Sequence, residues 1–288
     1  MSCYSAFLFR ASRPLSSLVV FSLMFVALRA TPVSAGFVPV FWEDFDGSGA
    51  VNTYDWGFET GFVRNEELQL YTTSTKNARR SDGKLIIEAR KETVDNPAYD
   101  PDAEPGEWKK LRQKAYYTSA SLYSTAAWTY GRYAIRAKIP EGSGMWPAIW
   151  MLGINESSVG WPACGEIDIM ENVGYEPYRV HNTVHTAGGS FGKWTDFGDG
   201  SDDEPLSAAY HVYLIDWSPR RINFMVDYNI VYTYENGGRP IDEWPFDNPF
   251  KMLLNVAVGG TWGGNRGISA TFPQRMYVDY VRVYKWVD

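Results

Sequence analysis

The sequence is poor in cysteine and histidine, has no excess of positive charge, and lacks helical periodicity. Only two cysteines occur in 288 residues. Cys3 lies in an N-terminal segment that reads as a cleaved leader, so Cys164 is left alone and no intrachain disulfide is expected. A lone cysteine with no Cys–His arrangement reads as a small packed hydrophobe rather than a nucleophile. The three histidines form no set with Cys or Asp at transition-metal spacing. Lys and Arg number 27 against 34 Asp and Glu, a net charge of −7. No basic patch suggests nucleic acid or an anionic membrane as partner. No internal repeat, low-complexity tract or Ser/Pro linker divides the chain.

The N-terminus carries Arg10 and Arg13, an apolar run from Leu15 to Leu28, then Thr31-Pro32-Val33-Ser34-Ala35. Basic residues, a short apolar stretch and small residues before a cut site predict a secretory signal peptide over residues 1–35, cleaved after Ala35. Ser16, Ser17 and Ser22 interrupt the run, which is shorter than the roughly 20 residues a membrane span needs. The remainder, 36–288, suits one all-β domain secreted to the extracellular space.

Alternation of period two is frequent. Tyr133, Ile135, Ala137 and Ile139 point one way, and Arg132, Ala134, Arg136 and Lys138 the other. Ile222, Phe224, Val226 and Tyr228 alternate against Arg221, Asn223, Met225 and Asp227. This pattern predicts half-buried antiparallel strands. Further strands are expected over Lys84–Lys91, His181–His185, His211–Trp217, Val231–Tyr234, Lys251–Val258 and Tyr277–Trp286. Asp82-Gly83, Asp227-Tyr228-Asn229 and Asn236-Gly237-Gly238 read as turns between them. Many short strands without intervening helices indicate a sandwich, jelly roll or barrel. The Pro- and acid-rich stretch Asp95–Gly106 reads as a surface loop.

Aromatic residues make up 16% of the chain and include 12 Trp. That is more than a core requires. A pyranose ring has apolar C–H faces that stack on an indole and hydroxyls that need polar partners at the rim. The segment Gly165-Glu166-Ile167-Asp168-Ile169-Met170-Glu171-Asn172 brings three acids together. On a strand, Glu166 and Asp168 share one face while Ile167 and Ile169 take the other. Such crowding of like charge costs stability, so the cluster points to function. Glu171 has the wrong parity for a regular strand. A β-bulge at Ile169–Met170 would return it to the acidic face. The outer glutamates would then stand about 13 Å apart at Cα. Their long side chains, leaning inward, fit the carboxyl separation of about 5–5.5 Å that retaining glycosidases use. The alternative, a calcium-binding or merely solvated acidic strand, leaves that parity unexplained.

The segment Gly165–Asn172 resembles the catalytic motif of glycoside hydrolase family 16, in the bulged form of laminarinases, which are endo-β-1,3-glucanases. Asn65-Glu66-Glu67-Leu68-Gln69, Tyr130-Gly131-Arg132-Tyr133, Gly144–Leu152, Trp244–Asp247, Asn255–Trp262 and Val278–Tyr284 resemble further blocks of that family in family order. The resemblance implies a jelly-roll β-sandwich of two antiparallel sheets with a concave substrate cleft. It implies a β-glucan substrate, a monomer, Glu166 as nucleophile and Glu171 as general acid/base, with Asp168 assisting between them. His185, on the following strand, is a partner for the acid/base or the sugar. Trp146, Trp150 and Trp262 are the expected sugar platforms. Asn65, Glu66, Arg132 and Asn255 are candidates for hydroxyl contacts, although Arg132 equally suits a solvent-facing position. His181 and His211 read as structural or surface residues. Catalysis needs no cofactor. The resemblance also implies a structural calcium ion at Glu43, Gly83 and Asp279, away from catalysis.

The chain departs from the family in places. Many laminarinases carry an Arg where this sequence has Ser121, which leaves one sugar contact open. Asn182 and Thr186-Ala187-Gly188-Gly189 also differ from the commoner choices.

Overall fold

The computed structural model describes residues 36–198 and 204–288. The signal peptide expected over residues 1–35 lies outside the described residues. The described residues form seventeen strands: β1 (Gly36–Glu43), β2 (Trp56–Glu59), β3 (Gln69–Tyr71), β4 (Ala78–Arg80), β5 (Leu85–Asp95), β6 (Lys114–Ser119), β7 (Ser121–Trp128), β8 (Gly131–Lys138) and β9 (Met145–Gly153), followed by β10 (Glu166–Glu171), β11 (Arg179–Thr186), β12 (Gly189–Asp196), β13 (His211–Trp217), β14 (Arg221–Val226), β15 (Asn229–Glu235), β16 (Phe250–Val258) and β17 (Gln274–Val287). Three single-turn helices, α1 (Trp108–Leu111), α2 (Glu156–Val159) and α3 (Gly260–Gly263), lie in connections. No helix among the described residues is long and apolar enough to cross a membrane.

The strands build two sheets. One runs β15-β14-β13-β8-β17-β5-β6-β3, with β1 beside β17 and β4 beside β5. The other runs β12-β11-β10-β9-β16-β7-β2. Pairing is antiparallel throughout except between β3 and β6. The expected jelly-roll sandwich is thus present, within one compact unit, Ala35–Asp288.

Alternation decides which face of each strand enters the core. Met145, Ile149 and Met151 of β9, Ile167 and Ile169 of β10, and Met252, Leu254 and Val256 of β16 point toward the other sheet, where they meet Tyr133, Ile135 and Ala137 of β8 and Val281 and Val283 of β17. Each such aliphatic side chain removed from water contributes about 1.5–3 kcal/mol. The alternate residues of the seven-stranded sheet, among them Trp146, Ala148, Trp150 and Asn255, face outward and line a cleft. The expected strands all form, and His211–Trp217 has the same limits in the sequence and the structure. Asp82-Gly83 and Asp227-Tyr228 adopt positive φ at both residues, the geometry of a two-residue hairpin turn. Tyr228 therefore sits in the turn, 63% exposed, and not on the inward face that alternation assigned it. The loop after β5 is closed by Asn96, whose amide donates to the carbonyls of Lys109 and Arg112.

Candidate active site

Gly165 leads into β10, and its φ of +81° and closeness to Pro245 and Phe250 leave no room for a side chain. The three acids follow. Against β11, Glu166 pairs with His185, Asp168 with Thr183 and Glu171 with His181. Asp168 and Glu171 are three steps apart on β10, but their partners Thr183 and His181 are only two steps apart on β11. The register against β9 shifts at the same place. This is the expected bulge, and Ile169 and Met170 both enter the core. Asn182 of β11 donates its side-chain amide to the Ile169 carbonyl at 2.7 Å, satisfying a group at the bulge.

Glu166, Asp168 and Glu171 line one cleft of about 400 Å³. Indole groups hold the two outer acids. Trp161 Nε1 donates to Glu166 Oε2 at 2.7 Å, and Trp146 Nε1 donates to Glu171 Oε1 at 3.0 Å. Asp168 is 1% exposed. His185 Nε2 stands 3.1 Å from Asp168 Oδ2, an ion-pair distance, but that oxygen has no aligned hydrogen-bond donor. The other ring nitrogen of His185 meets Ser190 Oγ at 2.7 Å.

Comparison with known proteins places this arrangement. Residues 64–282 match the family model of glycosyl hydrolases family 16. The chain belongs to family 16 of the glycosyl hydrolases. It is 42% identical to a beta-glucanase of Rhodothermus marinus over 86% of this chain and 85% of that one. It is 34% identical to a glucan endo-1,3-beta-glucosidase of Cryptopygus antarcticus over 85% of this chain and 91% of that one. The X-ray structure of the laminarinase from Rhodothermus marinus superposes with a TM-score of 0.76 at 38% identity, covering 89% of this chain and all of that one.

In this family 16 cleft, burial and like charge shape the acids. Burial first, and Glu166 second, push the Glu171 carboxyl up to about 7. Burial, then the charges of Glu171 and Glu166, push Asp168 well above the ordinary carboxylate range. Asp168 and Glu171 therefore both hold their protons more tightly than exposed carboxyls do.

The structure brings most of the expected residues together. Asn65, Trp146, Trp150 and Asn255 line the cleft with the acids. Trp150 donates to Asn255 Oδ1 at 2.7 Å, and Asn255 donates to the Tyr71 hydroxyl at 3.1 Å. The Arg64 guanidinium covers Trp150, 4.9 Å from its ring centre, so Trp150 is not a bare platform. Trp262 lies outside the pocket lining, edge-on to Trp146 at 5.3 Å and to His181 at 4.8 Å.

Two expectations need correction. Arg132 is on β8 of the other sheet, where it forks onto both Asp216 oxygens at 2.6 and 2.7 Å and lies over Phe37. Its strand alternation is real, but the sheet order puts that face away from the cleft. Glu66 is exposed; the buried cleft carboxylate is its neighbour Glu67, held by Gln69 at 2.7 Å and pushed upward in pKa by burial. His181 fits the structural side of its reading: it pairs beside Glu171 and meets Glu176 at 2.8 Å. Gly259 and Gly260, which follow β16, both have positive φ, and a side chain on Gly260 would strike the Asn65 carbonyl. Cys164 is buried, and burial raises its thiol to about 11, as suits a packed residue.

Sequence reasoning missed Glu59, Arg64, Glu67 and Trp161, all of which line the cleft. Trp161 carried a local signal, because its loop runs straight into the acid segment. Glu59 and Arg64 carried none.

The residues expected to hold calcium lie on the ten-stranded sheet. Glu43 pairs with Val281, and Leu85, just beyond Gly83, pairs with Val278. The register of β17 against β8 shifts between Val278 and Tyr280, placing Asp279 at a bulge. The Asp279 carboxylate itself accepts from Arg136 at 2.7 Å, and Glu43 Oε1 accepts from the Phe45 N–H at 2.7 Å.

Proposed function

We propose that this protein is a secreted, monomeric endo-β-1,3-glucanase that hydrolyses internal bonds of β-glucan with retention of configuration. The observation that carries the reading is the bulged β10, which turns Glu166, Asp168 and Glu171 onto one wall of an aromatic cleft. The names of the relatives from Rhodothermus marinus and Cryptopygus antarcticus support the substrate class.

Glu171, with its carboxyl raised to about 7, holds a proton near neutrality. It delivers that proton to the glycosidic oxygen as the bond to the anomeric carbon breaks. The Glu166 carboxylate attacks that carbon from the other side and forms a glycosyl-enzyme ester. The aglycone leaves with the proton. Glu171, now ionised, takes a proton from water, whose oxygen displaces Glu166 and restores both groups. Asp168, buried between them, retains a proton that it can share with Glu166 and so orients the nucleophile. The indole N–H groups of Trp161 and Trp146 set the rotamers of the two glutamates.

A structural calcium ion at Glu43, Gly83 and Asp279 is part of this proposal. It would tie β1 and the β4–β5 turn to β17, remote from the acids, and supplies no chemical step.

Reducing-sugar release from laminarin, lichenan, agarose and κ-carrageenan, with chromatography of the products, tests the function. A ladder of oligosaccharides from laminarin is expected, with Glu166→Gln retaining laminarin binding but losing turnover by orders of magnitude. Release only from a galactan, or near-normal turnover in Glu166→Gln, would overturn the substrate or the nucleophile respectively.

A further inference from the structure

The cleft extends from β10 across β9, β16 and β7 to the edge strand β2. One row of paired positions crosses it: Glu171 opposite Ala148, Ala148 opposite Asn255, Asn255 opposite Ser121, and Ser121 opposite Glu59, with Trp150 beside it on β9. Arg64 reaches over this row from the loop before β3. Its guanidinium is 4.9 Å from the Trp150 ring and its Nη2 donates to both oxygens of Glu59. Glu59 is held in turn by Ser121, whose hydroxyl donates to Oε2 at 2.6 Å.

The loop is built to aim this side chain. Asn65 and Glu66, the two residues after Arg64, both have positive φ, at 55° and 50°. Non-glycine residues adopt that conformation at a cost, and the surroundings must hold them there. Arg112 does so by donating to the Glu66 and Glu67 carbonyls, and Thr261 by donating its N–H to the Asn65 carbonyl at 2.9 Å.

An arginine carries five N–H donors. Glu59 takes those of Nη2. The Nε and Nη1 donors of Arg64 have no protein acceptor among the described residues, although the side chain is only 24% exposed and lines the cleft. Its charge, by contrast, is already met. The neighbouring carboxylates of Glu59 and Glu67 hold the guanidinium ionised against the opposing effect of burial. A fixed cation with its charge balanced and donors left over suits a neutral hydroxyl better than an anionic group.

We infer that Arg64 is a specificity-determining residue that donates to the hydroxyls of a neutral glucosyl unit in the arm of the cleft between β9 and β2. It replaces stacking on Trp150 with hydrogen bonding, because its guanidinium covers the indole. This inference rests on the glucanase reading, and it makes the arm matter only for chains long enough to reach it.

The test is kcat/KM for a series of β-1,3-gluco-oligosaccharides of increasing length, measured on the wild type, Arg64→Ala and Arg64→Lys, with melting temperatures alongside. In Arg64→Ala the longer oligosaccharides should lose about tenfold or more, the usual effect of removing a charged hydrogen bond. The shortest cleaved oligosaccharide should be unaffected. Arg64→Lys keeps the charge but not the planar fork, and should show the same length dependence. An equal loss at every length would make Arg64 a structural residue and overturn the inference, as would no loss at any length in a folded variant. A wild type that cleaves none of the series overturns the glucanase reading instead.

Discussion

Trp146 Nε1 donates to Glu171 Oε1 at 3.0 Å, and this bond opposes the burial and the Glu166 charge that raise the Glu171 carboxyl to about 7. A carboxyl tuned this way remains an acid under conditions where an exposed glutamate is ionised. The bond links the aromatic wall of the cleft to proton transfer.

The rate should therefore fall as pH rises through about 7, where Glu171 loses its proton. Trp146→Phe removes the opposing bond and should move that alkaline limb upward, by about one pH unit. Stability has the same sign. A carboxyl raised in the folded state contributes fully below its unfolded pKa, and that contribution is lost as pH rises through about 7. Melting curves of the wild type and Glu171→Gln across pH 4 to 8 check this (about the span of the two pKa values): the wild type should lose stability relative to the variant over that window.

Asn182 secures the bulge by donating to the Ile169 carbonyl from a fully buried position. Asn182→Leu leaves that carbonyl without its donor and should cost about 1–3 kcal/mol. Thermal melting measures the cost. Turnover on laminarin should fall with it, because the parity of Glu171 depends on the bulge.

Arg132 pairs with Asp216 on the sheet remote from the cleft. Arg132→Met should leave kcat/KM on laminarin within about twofold and change stability by no more than about 1 kcal/mol, the range of partly exposed ion pairs. A large, selective loss in kcat/KM would return Arg132 to the site.

Removing calcium should lower the melting temperature without changing the pH profile of turnover. Melting with and without chelator, followed by back-titration with calcium, measures the effect. An unchanged melting temperature in protein purified without bound ion would count against the site at Glu43, Gly83 and Asp279.

The alternation of β8 and β14, the hairpin at Asp227-Tyr228 and the bulge in β10 were all legible in the sequence. Each depends on residues a few positions apart, and side-chain direction along a strand has a period of two. The acid cluster was legible for the same reason: three carboxyls within six residues can share one face only if the strand slips by one. Trp146, Trp150 and Asn255 followed from the resemblance to known family blocks.

Sheet order was beyond the reach of local pattern. Arg132 and Trp150 both lie on alternating strands, yet one faces away from the cleft and the other into it, because β8 and β9 belong to different sheets. Arg64, Glu59 and Ser121 are separated by up to 62 residues, and they meet only because β2 pairs with β7 and the loop before β3 folds over both. The raised carboxyl of Glu171 likewise needs burial that comes from the assembled sheet and its loops. The sequence alone determined which chemical groups this protein carries and which face of each strand they share. The tertiary structure decided which of those faces meet, because pairing between distant strands sets distance, burial and charge.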